Sequence, residues 1–146
     1  LTEPFRTLVV CLVGAWAGAL AVAVLGTPLL VRRRGRDAAW PALRILLALV
    51  DVLGTWAAAL AAGALFAGRV GFSAAWAGAM GLVALMATAS LYDRAVLLPS
   101  LDAAHRRLDA GAAWEDDWRF LWRMAAWGRA ATLVLAGGAA ACTLLA

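Results

Sequence analysis

The chain has 146 residues, is 65% hydrophobic, has a mean hydropathy of +0.84 and carries a formal net charge of +4. A soluble domain is about half apolar, so this composition excludes a water-soluble globule and fits a protein that crosses a bilayer several times. The pI of 10.4 does not point to nucleic acid: all 13 basic residues are arginines, clustered between apolar runs, and they read as topological anchors rather than a phosphate-tracking surface.

The first apolar run, about 7–31, reads TLVVCLVGAWAGALAVAVLGTPLLV. It is too long for a signal peptide and no cleavage site follows it, so it is expected to stay as a spanning helix. The chain opens at Leu1, and a start Met or a few residues are expected ahead of it. The second run is about 42–68 and the third about 72–98. The fourth, about 119–146, begins amphipathic at RFLWRMAAWGR and ends apolar. Each run has the roughly 20 residues a spanning helix needs. Nothing alternates with period two, which excludes a transmembrane β-barrel. The expected fold is all-α: one four-helix transmembrane domain over 1–146, with cytoplasmic loops at 32–41 and 99–118.

Arginines set the expected orientation. Arg32, Arg33, Arg34, Arg36 and Arg44 lie between or at the edges of runs one and two; Arg94, Arg106, Arg107, Arg119 and Arg123 lie around the join of runs three and four. Only Arg69 and Arg6 mark the other side. The rich side is expected to be cytoplasmic and both termini outside. The Ala and Arg bias suggests a GC-rich genome, which says nothing about mechanism; the localisation expected is a bacterial cytoplasmic (inner) membrane. AWAGAL at 15–20 returns as AWAGAM at 75–80. This echo reads either as a duplicated hairpin or as small close-packing faces around Gly14, Gly18 and Gly78.

In the connecting segment, SLDAAHRRL can extend helix three, DAGAA reads as a turn, and WEDDWRFLW starts helix four with acids in its first turn. Trp114, Trp118 and Trp122 recur every four residues and form one stripe, either an interfacial belt or the roof of a pocket.

Charges inside spanning helices are costly and face a bundle interior or a wet cavity. Asp51, Asp93, Arg94 and Arg129 qualify. At about 1.5 Å per residue they all sit roughly 8–15 Å from the cytoplasmic ends of their helices. They are expected to meet, either as a salt-bridge network that fixes helix register or as a polar pocket. Thr55 lies one turn past Asp51, Thr88 one turn before Tyr92, and Ser90 one turn before Arg94, extending that polar surface.

One His and two Cys cannot build an ordinary zinc or haem site. His105 is expected to be solvated, which leaves no Ser–His–Asp set in the membrane. No glycine-rich phosphate loop appears. Arginine neighbours argue against a cation at Asp51 and Asp93. No metal and no cofactor are expected. Cys11 and Cys142 fall at one depth, so they can be joined by a disulfide or stay as two thiols.

GTPLLV closing helix one, LYDRAVLLP closing helix three and WRFLWRMAAWGRAATLVL opening helix four resemble the anthrone-oxygenase-like family of small bacterial and fungal membrane proteins. The transmembrane protein 205 group has a similar plan. Pro28, Asp93, Pro99, Trp122, Trp127 and Arg129 fill positions of the family pattern, while Gly128 replaces its Asn. The resemblance implies a four-helix fold and oxidation of anthrones, polycyclic phenolic polyketides, without an obvious cofactor. In that chemistry Asp51 or Asp93 is the base, Arg94 or Arg129 holds the oxyanion, and Tyr92, Trp122, Trp127 and Thr55 border the substrate. The function expected is therefore acid–base chemistry, oxygenation or cyclisation, on a lipophilic small molecule. A small proton-coupled exporter and an accessory subunit of a larger membrane complex remain alternatives. Membrane lipid is an expected partner, and the Gly/Ala-rich faces allow a homo-oligomer.

Overall fold

The computed structural model describes residues 1–111 and 115–146, with the backbone alone at 109, 115 and 116. Helices dominate it: α1 (Glu3–Arg34), α2 (Arg36–Ala67), α3 (Ala74–Tyr92), a π-helical turn (Asp93–Leu97), α4 (Leu98–Asp109) and α5 (Glu115–Leu145). Among the described residues, four helical stretches are long and apolar enough to cross a membrane; the third runs unbroken from Ala74 to Leu108. The described residues form an all-helical integral membrane protein.

Residues 32–41, expected as a loop, are helical on both sides of Gly35. Three arginines in a row break no helix. Gly35 does, at φ 79°, where its N–H still closes α1 by donating to the Val31 carbonyl at 2.9 Å. The segment 99–118 is likewise no open loop, because 98–109 is α4. Pro99 does not end the rod. It cannot give an N–H to the Ala95 carbonyl, and the wide π turn sits immediately before it. Ser73 caps α3, its Oγ accepting from the Trp76 N–H at 3.0 Å.

The helices form a ring in which α1 packs on α2 and α5, and α3 packs on the same two. The core uses Val9, Val13, Trp16 and Leu20 of α1 against Leu47, Val50 and Ala58 of α2, with Val83, Met86 and Ala136 from α3 and α5. The outer faces are equally apolar: Leu25, Trp56 and Val134 are exposed. A helix that is hydrophobic all round belongs in a bilayer. Gly54 allows the closest approach. A Cβ there would fall 2.4 Å from Trp16 Nε1.

The two arginine-rich segments share one end of the bundle. There Asp102 accepts from Trp40 Nε1 at 3.3 Å and from Arg106 at 2.8 Å, with Arg44 at 3.5 Å. His105, expected in solvent, is buried against Trp40, ring centroids 5.1 Å apart. It sits one turn past the fully buried Leu101, so it shares the face of α4 that packs inward. At this end Trp118 stacks on Trp122 at 5.1 Å; Trp114 of the expected stripe lies outside the described residues. At the opposite end, Trp76 Nε1 donates to the Leu65 carbonyl at 2.8 Å, and the Arg69 guanidinium lies 4.3 Å from the Phe72 ring. Cys11 and Cys142 are free thiols, so the disulfide alternative is not realised. Cys142 Sγ instead points towards α3, 3.3 Å from where a Cβ of Gly78 would be.

Candidate functional site

Three of the four predicted charges meet. Arg129 Nη2 donates to Asp51 Oδ2 at 3.3 Å and lies 3.6 Å from Asp93 Oδ2. All three residues are buried, at 2%, 7% and 4% exposure for Asp51, Asp93 and Arg129. Arg129 Nη1 also reaches the Ala125 carbonyl at 3.5 Å. The triad joins α2, the π turn and α5. Asp51 stands seven residues past Arg44, or about 10 Å inside the arginine-rich end.

The helix seams explain why these residues converge. Along α3 and the π turn that continues it, the buried positions run Ala79, Val83, Met86, Ser90, Asp93 and Leu97; on α5 they include Ala125, Arg129, Thr132, Ala136 and Ala139. Spacings of three and four put each charge on its helix's inner line. Asp51 likewise falls between Leu47 and Gly54 on α2.

The same geometry removes other candidates. Arg94 is exposed and takes no part in the triad. One residue past Asp93 turns it about 100° around the helix. Tyr92, turned the other way, is 48% exposed, and Trp127, two residues before Arg129, is 76% exposed. Neither borders the triad. Thr55 is half-buried, and its hydroxyl donates to the Asp51 carbonyl at 2.9 Å, so it serves the backbone and not the carboxylate. Thr88 likewise donates to the Ala84 carbonyl.

Trp122 does border a hollow. A cavity of about 40 Å³ lies between α1 and α5, with Val24, Thr27, Pro28, Trp122 and Arg129 in its wall. Exposed Pro28 and Ala126 are at its rim, so it opens sideways from the bundle. Asp51 and Asp93 lie across Arg129 from it and do not line it. Sequence reasoning missed Thr27, whose signal was a lone hydroxyl in GTPLLV next to Pro28. Thr27 is buried, and its Oγ1 has no hydrogen-bond partner among the described residues; Arg129 Nε is in the same state. Two larger hollows, 330 and 260 Å³, follow the outer groove between α1 and α2 and are almost wholly apolar. Among the described residues no group of three His, Cys, Asp or Glu side chains converges.

The chain matches no family model, no curated protein and no solved structure.

Proposed function

We propose that this protein is a membrane enzyme that performs acid–base chemistry on a lipophilic, polycyclic or polyketide-like small molecule entering from the bilayer between α1 and α5. One observation carries the reading: two buried carboxylates share one guanidinium beside a cavity that opens to the side. The formal charge of the triad is −1, so one carboxylate lacks a full counter-charge and is suited to accept a proton. Arg129 lines the cavity, and its fixed positive charge suits it to stabilise a developing oxyanion there. Asp51 or Asp93, which pair with Arg129 but do not line the cavity, would accept that proton.

The resemblance to the anthrone-oxygenase-like family suggests the reaction. Loss of a proton from the methylene of an anthrone gives an enolate whose oxygen Arg129 stabilises. Dioxygen accepts electrons from the carbanion, and loss of water from the hydroperoxide leaves the quinone: anthrone plus O₂ gives anthraquinone plus water. No cofactor takes part. The arginine-rich end is taken as cytoplasmic in a bacterial inner membrane, on the contrast between its many arginines and the Arg6 and Arg69 of the opposite end.

The test is anthrone turnover by the purified protein in lipid nanodiscs, followed by quinone absorbance and O₂ uptake. Wild type is expected to turn over. Asp51→Asn and Arg129→Gln are expected to stay folded and lose at least about a hundredfold, the usual size of a general-base contribution. Wild-type rates in both variants would make the assigned roles wrong. One feature favours proton-coupled export as a second reading: Arg129 pairs with both acids and also lines the cavity, so ligand binding at Arg129 and protonation of a carboxylate are coupled through it. Ligand-driven proton release from reconstituted liposomes without any product would support that reading over catalysis.

A further inference from the structure

The arginines of the charged end fall into two groups. Arg36 donates to Asp37 at 2.7 Å and lies 5.7 Å from the Trp118 ring, while Arg44 and Arg106 lie 3.5 and 2.8 Å from Asp102. Arg32, Arg33, Arg34, Arg107 and Arg123 are exposed and have no hydrogen-bond or ion-pair partner among the described residues. Topology alone accounts for an excess of positive charge at this end, but two of the unpartnered arginines have a more particular placement. Pro28 and Ala126 are exposed residues on the rim of the hollow between α1 and α5. Arg32 follows Pro28 by four residues and Arg123 precedes Ala126 by three, so each shares a helix face with its rim residue. Their depths agree as well. Thr27 and Arg129 wall the same hollow. Arg32 is five residues past Thr27 and Arg123 six before Arg129, about 8 and 9 Å nearer the charged end at the rise of a helix. The contact of Arg36 with Trp118 shows that these two segments meet. Two unpaired guanidinium groups thus flank one opening at the edge of the bilayer.

Charge and the apolar surface beneath define the partner. Leu25 and Leu29 on α1 and Trp127 on α5 are exposed one to two turns deeper than the two arginines. Whatever meets the guanidinium groups therefore continues inward as hydrocarbon. Two cations require an anion, and guanidinium donors match phosphate oxygens in pairs. Acidic residues stand away from this level. Asp37 is held by Arg36, and Glu115, Asp116 and Asp117 precede Arg123 by six to eight residues, about 9–12 Å further out. A choline or ammonium group attached to the phosphate would add a cation next to Arg33 and Arg34 with no carboxylate at hand, so a headgroup without one is preferred.

We infer that Arg32 and Arg123 bind the phosphate of an anionic glycerophospholipid at the mouth of the gap between α1 and α5, with its chains along the exposed apolar surface below. The site lies between the hollow and the membrane edge, and it stands whether or not the protein is an enzyme.

The test uses the intact protein in nanodiscs of equal parts phosphatidylglycerol and phosphatidylcholine with identical chains. Native mass spectrometry after release into detergent identifies the lipids the protein retains. Phosphatidylglycerol is expected to be retained in preference to phosphatidylcholine. Arg32→Gln and Arg123→Gln are each expected to lower that preference about fivefold, the scale of one interfacial arginine. Arg107→Gln is expected to leave it unchanged. Arg107 is equally exposed and unpartnered among the described residues, but it belongs to α4, which does not touch α1. Glycerol phosphate added in solution is expected not to displace the lipid, since it lacks the chains. Absence of a preference in the wild type, or an undiminished preference in either of the first two variants, would overturn the inference. So would an equal loss in Arg107→Gln, which would mean diffuse attraction to the whole charged end. Displacement by glycerol phosphate would overturn the lipid as the source of the phosphate.

Discussion

Removing Arg129 should be the most damaging single change in the bundle. Arg129→Met keeps most of the volume but leaves Asp51 and Asp93, 3.3 and 3.6 Å from the lost nitrogen, with no cation between them. At these distances each pairing is worth about 5 kcal/mol in a medium of effective dielectric 20, and most of that offsets the desolvation of the ions. The measured loss on breaking a buried pair is about 3–5 kcal/mol. Here that means a folded-to-unfolded ratio reduced by about two to four orders of magnitude, which leaves the folded state dominant where the starting stability exceeds that loss. Replacing the whole triad, Asp51→Asn with Asp93→Asn and Arg129→Met, removes the charges together and should recover most of the stability, since neutral replacement of a buried ion cluster is often harmless. The assay is reversible unfolding in mixed micelles with increasing dodecyl sulfate, read by helical ellipticity. If Arg129→Met unfolds at the wild-type midpoint, or the triple variant is as weak as the single one, the three side chains are not a coupled buried network.

Other consequences follow from neighbouring positions. Gly54→Ala places a methyl 2.4 Å from Trp16 Nε1 and should destabilise the bundle by about 1–3 kcal/mol in the same unfolding assay; no loss would mean that α1 and α2 separate freely. Arg94→Gln should change stability by less than about 0.5 kcal/mol and leave turnover intact, because an exposed side chain outside the triad has little to lose. A turnover defect as large as that of Arg129→Gln would return Arg94 to the site. Alkylation of the unfolded, unreduced protein should modify both Cys11 and Cys142; a product carrying no alkyl group would indicate a bridge.

Depth was legible in the sequence, and direction was not. Counting residues from Arg44 and Pro99 at a fixed rise places Asp51 and Asp93 at one level without any structure. Knowing which side of the helix faces inward requires an amphipathic contrast. The apolar stretch before Asp93, AAWAGAMGLVALMATAS, is apolar on every face, as a lipid-facing helix is. Asp93 and Arg94 could therefore not be told apart by periodicity, although only Asp93 continues the line Ala79, Val83, Met86, Ser90. The same silence misplaced Tyr92 and Trp127. His105 failed for the opposite reason: it lies in a polar segment, and a run of charge around it hid its place one turn beyond Leu101. Thr27 was overlooked because a helical threonine normally satisfies itself on its own backbone, and only coordinates reveal one that does not.

The triad invites a purely architectural explanation, since it ties three helices together at one level. Three details weigh against stopping there. A cluster that serves only to fix register is best when neutral, and this one holds two acids to one base. A structural guanidinium also uses its donors, and Arg129 keeps Nε unpaired. Finally, tight register needs a filled surround, whereas the far side of Arg129 borders a hollow walled by a proline and a threonine with an unsatisfied hydroxyl. Each departure has a cost in a low-dielectric bundle, and all three occur within the length of one arginine side chain. Their shared position is better accounted for by a ligand that meets the charge of Arg129 from the cavity, and by a carboxylate free to exchange a proton behind it, than by packing alone.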